Sequence, residues 1–245
     1  MILVGVGQER NGKSVIIRNY RRVSNMISCI VPVYNNEKTI TRVIKTLLSC
    51  QDIDEIIVID DCSEDNSVQK IKAFGSKIKT VFNNRNLGKG GAVVKGIKIT
   101  KGNTILMCDA DLSKIKKHHI TNLINEYKCG RYNMVIAARE SDKGLGAFMA
   151  IISGERIFEK KLIKPYLKLI TESGNGIEQI INFAHRNKKV KIIISKNIGH
   201  VLKAQRGNLE KILLSYTQET AQLIKTDLMI KKINLNRLKK TFLKG

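Results

Sequence analysis

The sequence predicts an α/β protein whose mostly parallel central sheet is flanked by helices. From residue 27 onward, short apolar runs alternate with segments whose apolar residues recur at three- and four-residue spacing. This alternation is typical of βαβ units, in which helices join parallel strands. The predicted strands are Ile27–Val33, Glu55–Asp60, Lys77–Phe82, Asn103–Cys108, Asn133–Ala138 and Val190–Ser195, and the predicted helices are Lys38–Ser49, Asn66–Phe74, Gly90–Thr100, Lys117–Lys128 and Gly176–Arg186.

Composition limits the class of protein. A chain of 245 residues with 42% hydrophobic and 27% charged residues can bury one sizeable core. The net charge of +23 favours a polyanionic partner such as nucleic acid, anionic lipid or a phosphorylated substrate. A nucleic-acid binder is disfavoured because aromatic residues make up only 5% of the chain and no zinc-finger or RNA-recognition pattern occurs. The five cysteines form no C-x-x-C pair, so they are interpreted as core residues in a reducing compartment.

No segment of the sequence has the pattern of a membrane span or an export signal. The longest uninterrupted apolar run, residues 147–152, is far shorter than the roughly 20 residues that cross a bilayer. The first residues lack a signal-peptide cleavage pattern. We therefore expect a cytoplasmic protein, either soluble or peripheral on the inner face of the cell membrane.

Residues 1–26 are predicted to form a short N-terminal hairpin extension. Residues 7–14 match the phosphate-loop pattern G-x-x-x-x-G-K-[ST]. A phosphate loop opens a helix, whereas here the β-branched run Val15–Ile17 follows, and Asn11–Gly12 is a strong hairpin turn signal. These features favour a hairpin over a phosphate loop, since short motifs often match by chance.

The C-terminal residues 208–245 are predicted to form a basic amphipathic helical segment after a main domain at 27–207. One interpretation is a helix that lies on an anionic membrane surface. The other is a helix packed on the domain with a solvated basic face, and the charge pattern does not choose between them. The basic residues from 228 onward, where no acid occurs, are Lys231, Lys232, Arg237, Lys239, Lys240 and Lys244.

Four loops that follow predicted strands are expected at one edge of the sheet, where ligands of open α/β sheets collect. Two of them, residues 33–37 and 60–67, are rich in hydrogen-bond acceptors. The third, residues 86–92, offers backbone amides and Lys89 at a helix start, which suits an anion. The fourth is Asp109-Ala110-Asp111, where two carboxylates suit a hard divalent cation that carries a phosphate.

The four loops in this order resemble the nucleotide-sugar-dependent glycosyltransferases of family 2, which have the Rossmann-like GT-A fold. The matching segments are Val31-Pro32-Val33-Tyr34-Asn35, Ile59-Asp60-Asp61-Cys62-Ser63, Asn86-Leu87-Gly88-Lys89-Gly90-Gly91-Ala92 and Asp109-Ala110-Asp111. The last two look most like enzymes that charge polyprenyl or dolichyl phosphate with a sugar. The resemblance is strong for residues 27–140 and weak for 141–206.

The resemblance implies a nucleotide-sugar site in the first half of the chain. Val33, Tyr34 and Glu37 would form walls of the nucleotide pocket. Asp60 would hydrogen-bond the base, and Asp61 belongs to the same acceptor-rich turn and is assigned to the same site.

The resemblance also implies a metal–diphosphate site. Lys89 would lie where the glycine-rich loop meets the nucleotide-sugar, and Asp109 and Asp111 would meet the ribose and the metal on the diphosphate. Mg or Mn would both serve as the divalent cofactor. His200 stands where several enzymes of this fold present a late histidine to the metal, although a lone histidine is more often structural.

The second half of the chain is expected to supply the acceptor side. Residues 174–178 resemble the G-Y-G-x-E segment of soluble relatives, whose acidic residue faces the acceptor. Glu178 is therefore predicted to be the general base, and it is assigned a catalytic role together with Asp111. If the acceptor is an ionised phosphate, no base is needed, and Glu178 would position the acceptor. Glu178 also lies near a predicted helix start, where a carboxylate could merely complement the helix dipole.

Three basic residues complete the predicted site. Arg156 would meet a phosphate of the donor or the acceptor, or pair with a surface carboxylate. Lys203 and Arg206 could clamp the diphosphate. Processive members of the family carry Q-x-x-R-W near this region, whereas this chain has Gln205-Arg206-Gly207, which favours transfer of a single sugar.

The resemblance thus implies an inverting, metal-dependent transfer of one sugar from a UDP- or GDP-sugar. The acceptor would be a polyprenyl phosphate or a cell-envelope glycan precursor. A basic nucleic-acid-binding protein and a phosphate-loop nucleotide-binding protein that uses residues 7–14 are the alternatives.

Overall fold

A twisted sheet organises the residues that the computed structural model describes, which are 26–139, 153–199 and 221–233. In this part of the chain the sheet has seven strands in the order β3-β2-β1-β4-β6-β5-β7. Neighbouring strands pair in parallel except at β6, which runs antiparallel to β4 and β5. The strands are β1 (Ile27–Val33), β2 (Glu55–Asp60), β3 (Lys79–Phe82), β4 (Thr104–Met107), β5 (Met134–Arg139), β6 (Arg156–Glu159) and β7 (Val190–Ser195).

Helices cover both faces of the sheet, so the predicted α/β class with a mostly parallel sheet is confirmed. Each face has its own apolar cluster, one packed under α1 and α4 and the other under α3, α6 and α7. The helices are α1 (Ile40–Leu48), α2 (Ser67–Lys72), α3 (Gly88–Ile99), α4 (Lys117–Lys128), α5 (Lys160–Ile163), α6 (Leu167–Glu172), α7 (Ile177–Ala184) and α8 (residues 221–233).

The order of β1 to β4 positions the site. Because β1 pairs in parallel with β2 and β4, and β2 with β3, the carboxyl ends of all four strands meet at one edge. Their central residues are fully buried aliphatic side chains such as Ile30, Ile57 and Ile105, as expected for strands covered on both faces. The predicted convergence of the four loops at this edge is confirmed.

The sequence did not predict the stretch that contains β6, α5 and α6. The strand β6 has only four residues, with charged Arg156 and Glu159 at its ends, so it shows no clear apolar run. Two short helices follow, separated by a 3-10 turn that holds Pro165. The first turn of α3 lies so close to α6 that a Cβ at Gly90 would overlap the carbonyl of Ile170.

The helix α8 packs against the domain through one of its faces. The Gln222 Oε1 atom accepts a hydrogen bond from the Asn175 amide at 2.8 Å, and Thr226 is completely buried. No helix in the described residues is long and apolar enough to cross a membrane. The N-terminal hairpin and the phosphate-loop match at residues 7–14 lie outside the described residues, and the domain boundaries at 26 and 207 stay predictions.

Candidate active site

The loops after β1 and β2 are tied together and form one wall of the candidate site. The Glu37 amide donates to Asp65 Oδ2 at 2.9 Å, and Glu37 Oε2 accepts from the Asn66 side chain at 2.9 Å. Beside these residues lies a cavity of about 300 Å³ lined by residues 35–39, Glu64 and Asp65. Tyr34 is 44% exposed, whereas Val33 is buried in the core.

Asp60 and Asp61 lie at the end of β2 and have different surroundings. Asp60 is 2% exposed, and its Oδ2 accepts from the Ser63 amide at 3.1 Å. Its Oδ1 is buried and has no hydrogen-bond partner among the described residues, so it can accept from a ligand. Asp61 Oδ1 accepts from Asn83 Nδ2 at 2.7 Å and from the Leu87 amide at 2.9 Å, so this carboxylate holds the loop that leads to α3.

Lys89 lies at the centre of the site. It is presented by the first turn of α3, after Gly88, whose φ of +73° few other residues adopt. Its Nζ is 2.7 Å from Asp109 Oδ1 and 2.7 Å from Glu178 Oε1. Burial alone would lower the pKa of Lys89, but the charges of Asp109 and Glu178 raise it well above its usual range. One ammonium group therefore joins a carboxylate from each half of the chain.

Glu178 is held in the first turn of α7, which follows a 3-10 turn at Gly174–Gly176. Its side chain is 7% exposed, and the apolar face of α7 is buried on the sheet through Ile177, Ile180 and Ile181. The structure thus brings Glu178 to the Asp109 strand end, although 69 positions separate the two residues in the sequence.

Arg156 lies in the interior of the protein rather than at the surface. It is fully buried, and its guanidinium donates to Asn182 Oδ1 at 3.0 Å, to the Glu178 carbonyl at 3.4 Å and to the Ser153 carbonyl. Burial lowers the pKa of Arg156, opposed by the charges of Glu178, Asp109 and Glu155. Arg156 thus supports α7 beside Glu178, and its predicted contact with a phosphate or a carboxylate stays a prediction.

The turn that carries the two aspartates is fixed by its neighbours. Thr39 Oγ1 donates to the Ala110 carbonyl at 2.7 Å, and the Cys108 amide donates to the Ile30 carbonyl at 3.1 Å. A Cβ at Gly154 would overlap the Asp109 carboxylate, so the segment before β6 lies directly against it. The sequence predicted a role for Arg156 but not this contact of Gly154; a glycine beside charged residues was the available signal.

The charges at this edge suit a cation. Among the described residues, four carboxylates, Asp109, Asp111, Glu155 and Glu178, lie at this edge with the cationic side chains of Lys89 and Arg156. No group of three acidic, His or Cys side chains within the described ranges is arranged to hold a metal by itself. Asp109 and Asp111 would supply two oxygen ligands, which is sufficient when substrate phosphates and water complete the shell.

Three predicted site residues, His200, Lys203 and Arg206, lie outside the described residues. The chain just before them does reach this edge of the sheet. The Ser113 amide donates to the Gly199 carbonyl at 3.2 Å, and the Lys114 amide donates to the Ile198 carbonyl at 2.9 Å. Residues 198–199 are thus hydrogen-bonded to the segment that directly follows Asp111.

Solved structures of another protein share this fold. Glucosyl-3-phosphoglycerate synthase from Mycobacterium tuberculosis in complex with Mn2+, uridine diphosphate and phosphoglyceric acid aligns with a TM-score of 0.65 at 20% identity, over 84% of this chain and 79% of that chain. Its complex with Mg2+ and uridine diphosphate aligns with a TM-score of 0.65 at 19% identity, over 89% of this chain and 85% of that chain. This likeness confirms the predicted GT-A fold.

Sequence relatives cover a smaller part of the chain. An undecaprenyl-phosphate 4-deoxy-4-formamido-L-arabinose transferase of Pseudomonas fluorescens is 30% identical over 123 residues, which are 47% of this chain and 36% of that protein. The enzyme of the same name from Aeromonas hydrophila is 34% identical over 95 residues, 36% of this chain and 29% of that protein. The chain thus spans about a third of the length of these relatives. The family pattern described as Glycosyl transferase family 2 matches residues 28–200, and the chain belongs to that family.

Proposed function

We propose that the chain transfers a single sugar, with inversion, from a nucleoside diphosphate sugar to a lipid-linked phosphate with the help of a divalent metal. The contact of Lys89 with both Asp109 and Glu178 carries this proposal. Asp109 follows β4, the strand next to β1, and Glu178 comes from the half of the chain that would receive the acceptor. A donor and an acceptor bound on either side of Lys89 would meet at this point.

The donor is proposed to bind across the loops after β1, β2 and β3. Asp60 Oδ1, which has no hydrogen-bond partner among the described residues, would accept a hydrogen bond from the base, and the cavity lined by residues 35–39, Glu64 and Asp65 lies in the loops on the same side of the site. Lys89 would pair with the diphosphate. The solved neighbours that contain uridine diphosphate support a uridine nucleotide. A panel of sugar nucleotides identifies the sugar.

The metal is proposed to be Mn or Mg, held by Asp109 and Asp111 with His200 as a further ligand. A bound divalent ion neutralises the negative charge of the departing nucleoside diphosphate. The position of two carboxylates one residue apart at the end of β4 supports this assignment, as do the Mn2+ and Mg2+ in the solved neighbours.

The acceptor is proposed to be a polyprenyl phosphate, which the names of the sequence relatives support. A phosphate acceptor is already ionised, so its oxygen can attack the sugar carbon without losing a proton. Glu178 would then position the acceptor, whereas for a hydroxyl acceptor it would take the proton as general base. A lipid acceptor would place the chain at the inner face of the cell membrane.

The proposal is tested with the double variant Asp109→Ala, Asp111→Ala. Release of nucleoside diphosphate is measured from a panel of UDP- and GDP-sugars, with Mn present and polyprenyl phosphate as acceptor. We expect turnover to fall about a thousandfold or more, because the charge stabilisation of the leaving group is lost. Asp52→Ala is the matched control, since Asp52 is an exposed carboxylate paired with Lys128. Full turnover by the double variant would contradict the proposal.

A further inference from the structure

The inner face of α8 is bound to the segment that carries Glu178. Gln222, Thr226 and Ile230, which recur at four-residue spacing, lie on this face. Gln222 holds the Asn175 amide, and a Cβ at Gly176 would overlap the Thr226 hydroxyl. Because Gly176 immediately precedes α7, the position of α8 and the position of Glu178 are linked through a few residues.

The outer face of α8 exposes large apolar side chains. Ile224 is 59% exposed and Leu228 is 60% exposed, and four residues separate them, so they form one strip along the helix. A shallow apolar cleft of about 460 Å³ follows this strip and is lined by Ala221, Ile224, Lys225, Leu228, Met229 and Lys232. Both apolar residues lie on the face of α8 opposite Gln222 and Thr226.

Lysines flank the apolar strip on both sides. By helical geometry Lys225 and Lys232 lie on one side of the strip, and Lys231 lies on the other, where it pairs with Asp227 at 2.8 Å. Residues 221–233 therefore carry three lysines and one aspartate. A narrow apolar strip between lysines is the pattern of a helix that lies in a lipid interface, with aliphatic side chains in the acyl region and ammonium groups at the phosphates.

We infer that α8 docks on an anionic lipid surface through Ile224 and Leu228, with Lys225 and Lys232 at the phosphate level. A second copy of this chain is a poorer occupant because two chains of net charge +23 repel each other, whereas an anionic bilayer attracts this charge. The docked helix would bring the Gly174–Glu178 segment close to the bilayer. Delivery of a lipid acceptor to Glu178 follows only if the proposed function is correct; the docking itself does not depend on it.

The test uses the full chain and vesicles of phosphatidylcholine with or without phosphatidylglycerol. In co-sedimentation, the double variant Ile224→Ser, Leu228→Ser should bind anionic vesicles about tenfold or more weakly, because two aliphatic side chains no longer leave water. The matched control is Ile192→Ser, Ile194→Ser, which makes the same change at exposed positions of β7 and should bind as the wild type does. Lys225→Gln, Lys232→Gln should weaken the binding and make it less sensitive to salt.

A second measurement separates docking from attraction by net charge alone. The chain contains no Trp, so Leu228→Trp introduces a single reporter. Its emission should shift to shorter wavelength on anionic vesicles and be quenched by lipids brominated on their acyl chains, whereas Ile194→Trp should show neither change. Unchanged emission from Leu228→Trp, or equal binding by the serine variant, would overturn the inference. So would a dimer in sedimentation velocity that the serine variant loses.

These assays contain no sugar nucleotide, so they are independent of the catalytic proposal. If Asp109→Ala, Asp111→Ala keeps its turnover while the serine variant loses vesicle binding, the proposed function fails and the docking stands. If Asp109→Ala, Asp111→Ala loses its turnover while the serine variant binds vesicles as the wild type does, the docking fails and the proposed function stands.

Discussion

The two edges of the parallel sheet use buried charge in different ways. At the amino edge, Glu55 accepts hydrogen bonds from Ser28, Lys79 and the Lys101 amide at 2.5 to 2.6 Å. These donors all belong to the strands β1 and β3 or to the turn before β4. At the carboxyl edge, Asp109 and Glu178 share one ammonium group from Lys89.

The comparison separates structural charges from those available to a ligand. The Glu55 carboxylate gains hydrogen bonds from four neighbouring groups, so it fastens the first strands of the sheet together and leaves no excess charge. The carboxyl edge, among the described residues, gathers Asp109, Asp111, Glu155 and Glu178 around Lys89 and Arg156. We therefore expect substitutions at the amino edge to change stability, and those at the carboxyl edge to change turnover.

Among single substitutions, the largest effect is expected from Lys89→Gln, and Lys79→Gln is its control at the other edge. Lys89→Gln removes the cation that would meet the diphosphate, so turnover should fall about a hundredfold, the usual cost of one charge-stabilising group in a site. Lys79 pairs with Glu55 at the other edge and is 41% exposed, so Lys79→Gln should leave turnover unchanged. Steady-state release of nucleoside diphosphate measures both. Equal turnover by the two variants would mean that the carboxyl edge is not the reaction site.

Most of the fold could be predicted because its strands are continuous apolar runs. The strands Ile27–Val33, Glu55–Asp60 and Val190–Ser195 have the bounds that periodicity predicts. The strand β6 could not be found in this way, since four residues with charged ends carry no period and its antiparallel place is decided by β4 and β5. The short helices after it have too few turns to show an amphipathic pattern.

The candidate site was less predictable, because its contacts join distant parts of the chain. The edge that gathers Asp60, Lys89 and Asp109 follows from parallel strand order alone. The contact between Lys89 and Glu178 spans 89 positions and depends on how α3 packs on α6 and α7. The burial of Arg156 could not be predicted either, because an arginine is usually exposed and only the tertiary packing supplies its carbonyl partners.

A pair of glycine substitutions sharpens the comparison between the edges. Gly154→Ala places a methyl group on the Asp109 carboxylate, so turnover should fall at least about tenfold through displacement of a reacting-site group. Gly102→Ala overlaps the Met26 carbonyl and Ser28 hydroxyl at the amino edge, so it should cost about 1–3 kcal/mol of stability. Turnover per folded molecule measures the effect of Gly154→Ala, and urea unfolding measures the effect of Gly102→Ala. The difference between the edges would be refuted if Gly102→Ala lowered turnover as much as Gly154→Ala.

The smallest effect is expected from Glu55→Gln, which should change the free energy of unfolding in a way that depends on pH. Burial raises the pKa of Glu55, but hydrogen bonds from Lys79, Ser28 and the Lys101 and Gly102 amides outweigh it and lower the pKa from 4.5 to about 2. A carboxyl whose pKa is lower in the folded state stabilises the fold above its unfolded pKa, and this contribution is lost as the pH falls toward the folded pKa.

Urea unfolding of Glu55→Gln should therefore show a loss of about 1–2 kcal/mol at pH 7, the scale of charge-assisted hydrogen bonds that a neutral amide only partly replaces. The difference from the wild type should shrink between pH 4.5 and about pH 2, where the wild-type carboxyl takes up its proton. Asp52→Asn removes an exposed charge and should cost less than about 1 kcal/mol. A loss for Glu55→Gln that stays constant across this range would show that the amino edge depends on the shape of the side chain. In that case the two edges would not differ in how they use charged side chains.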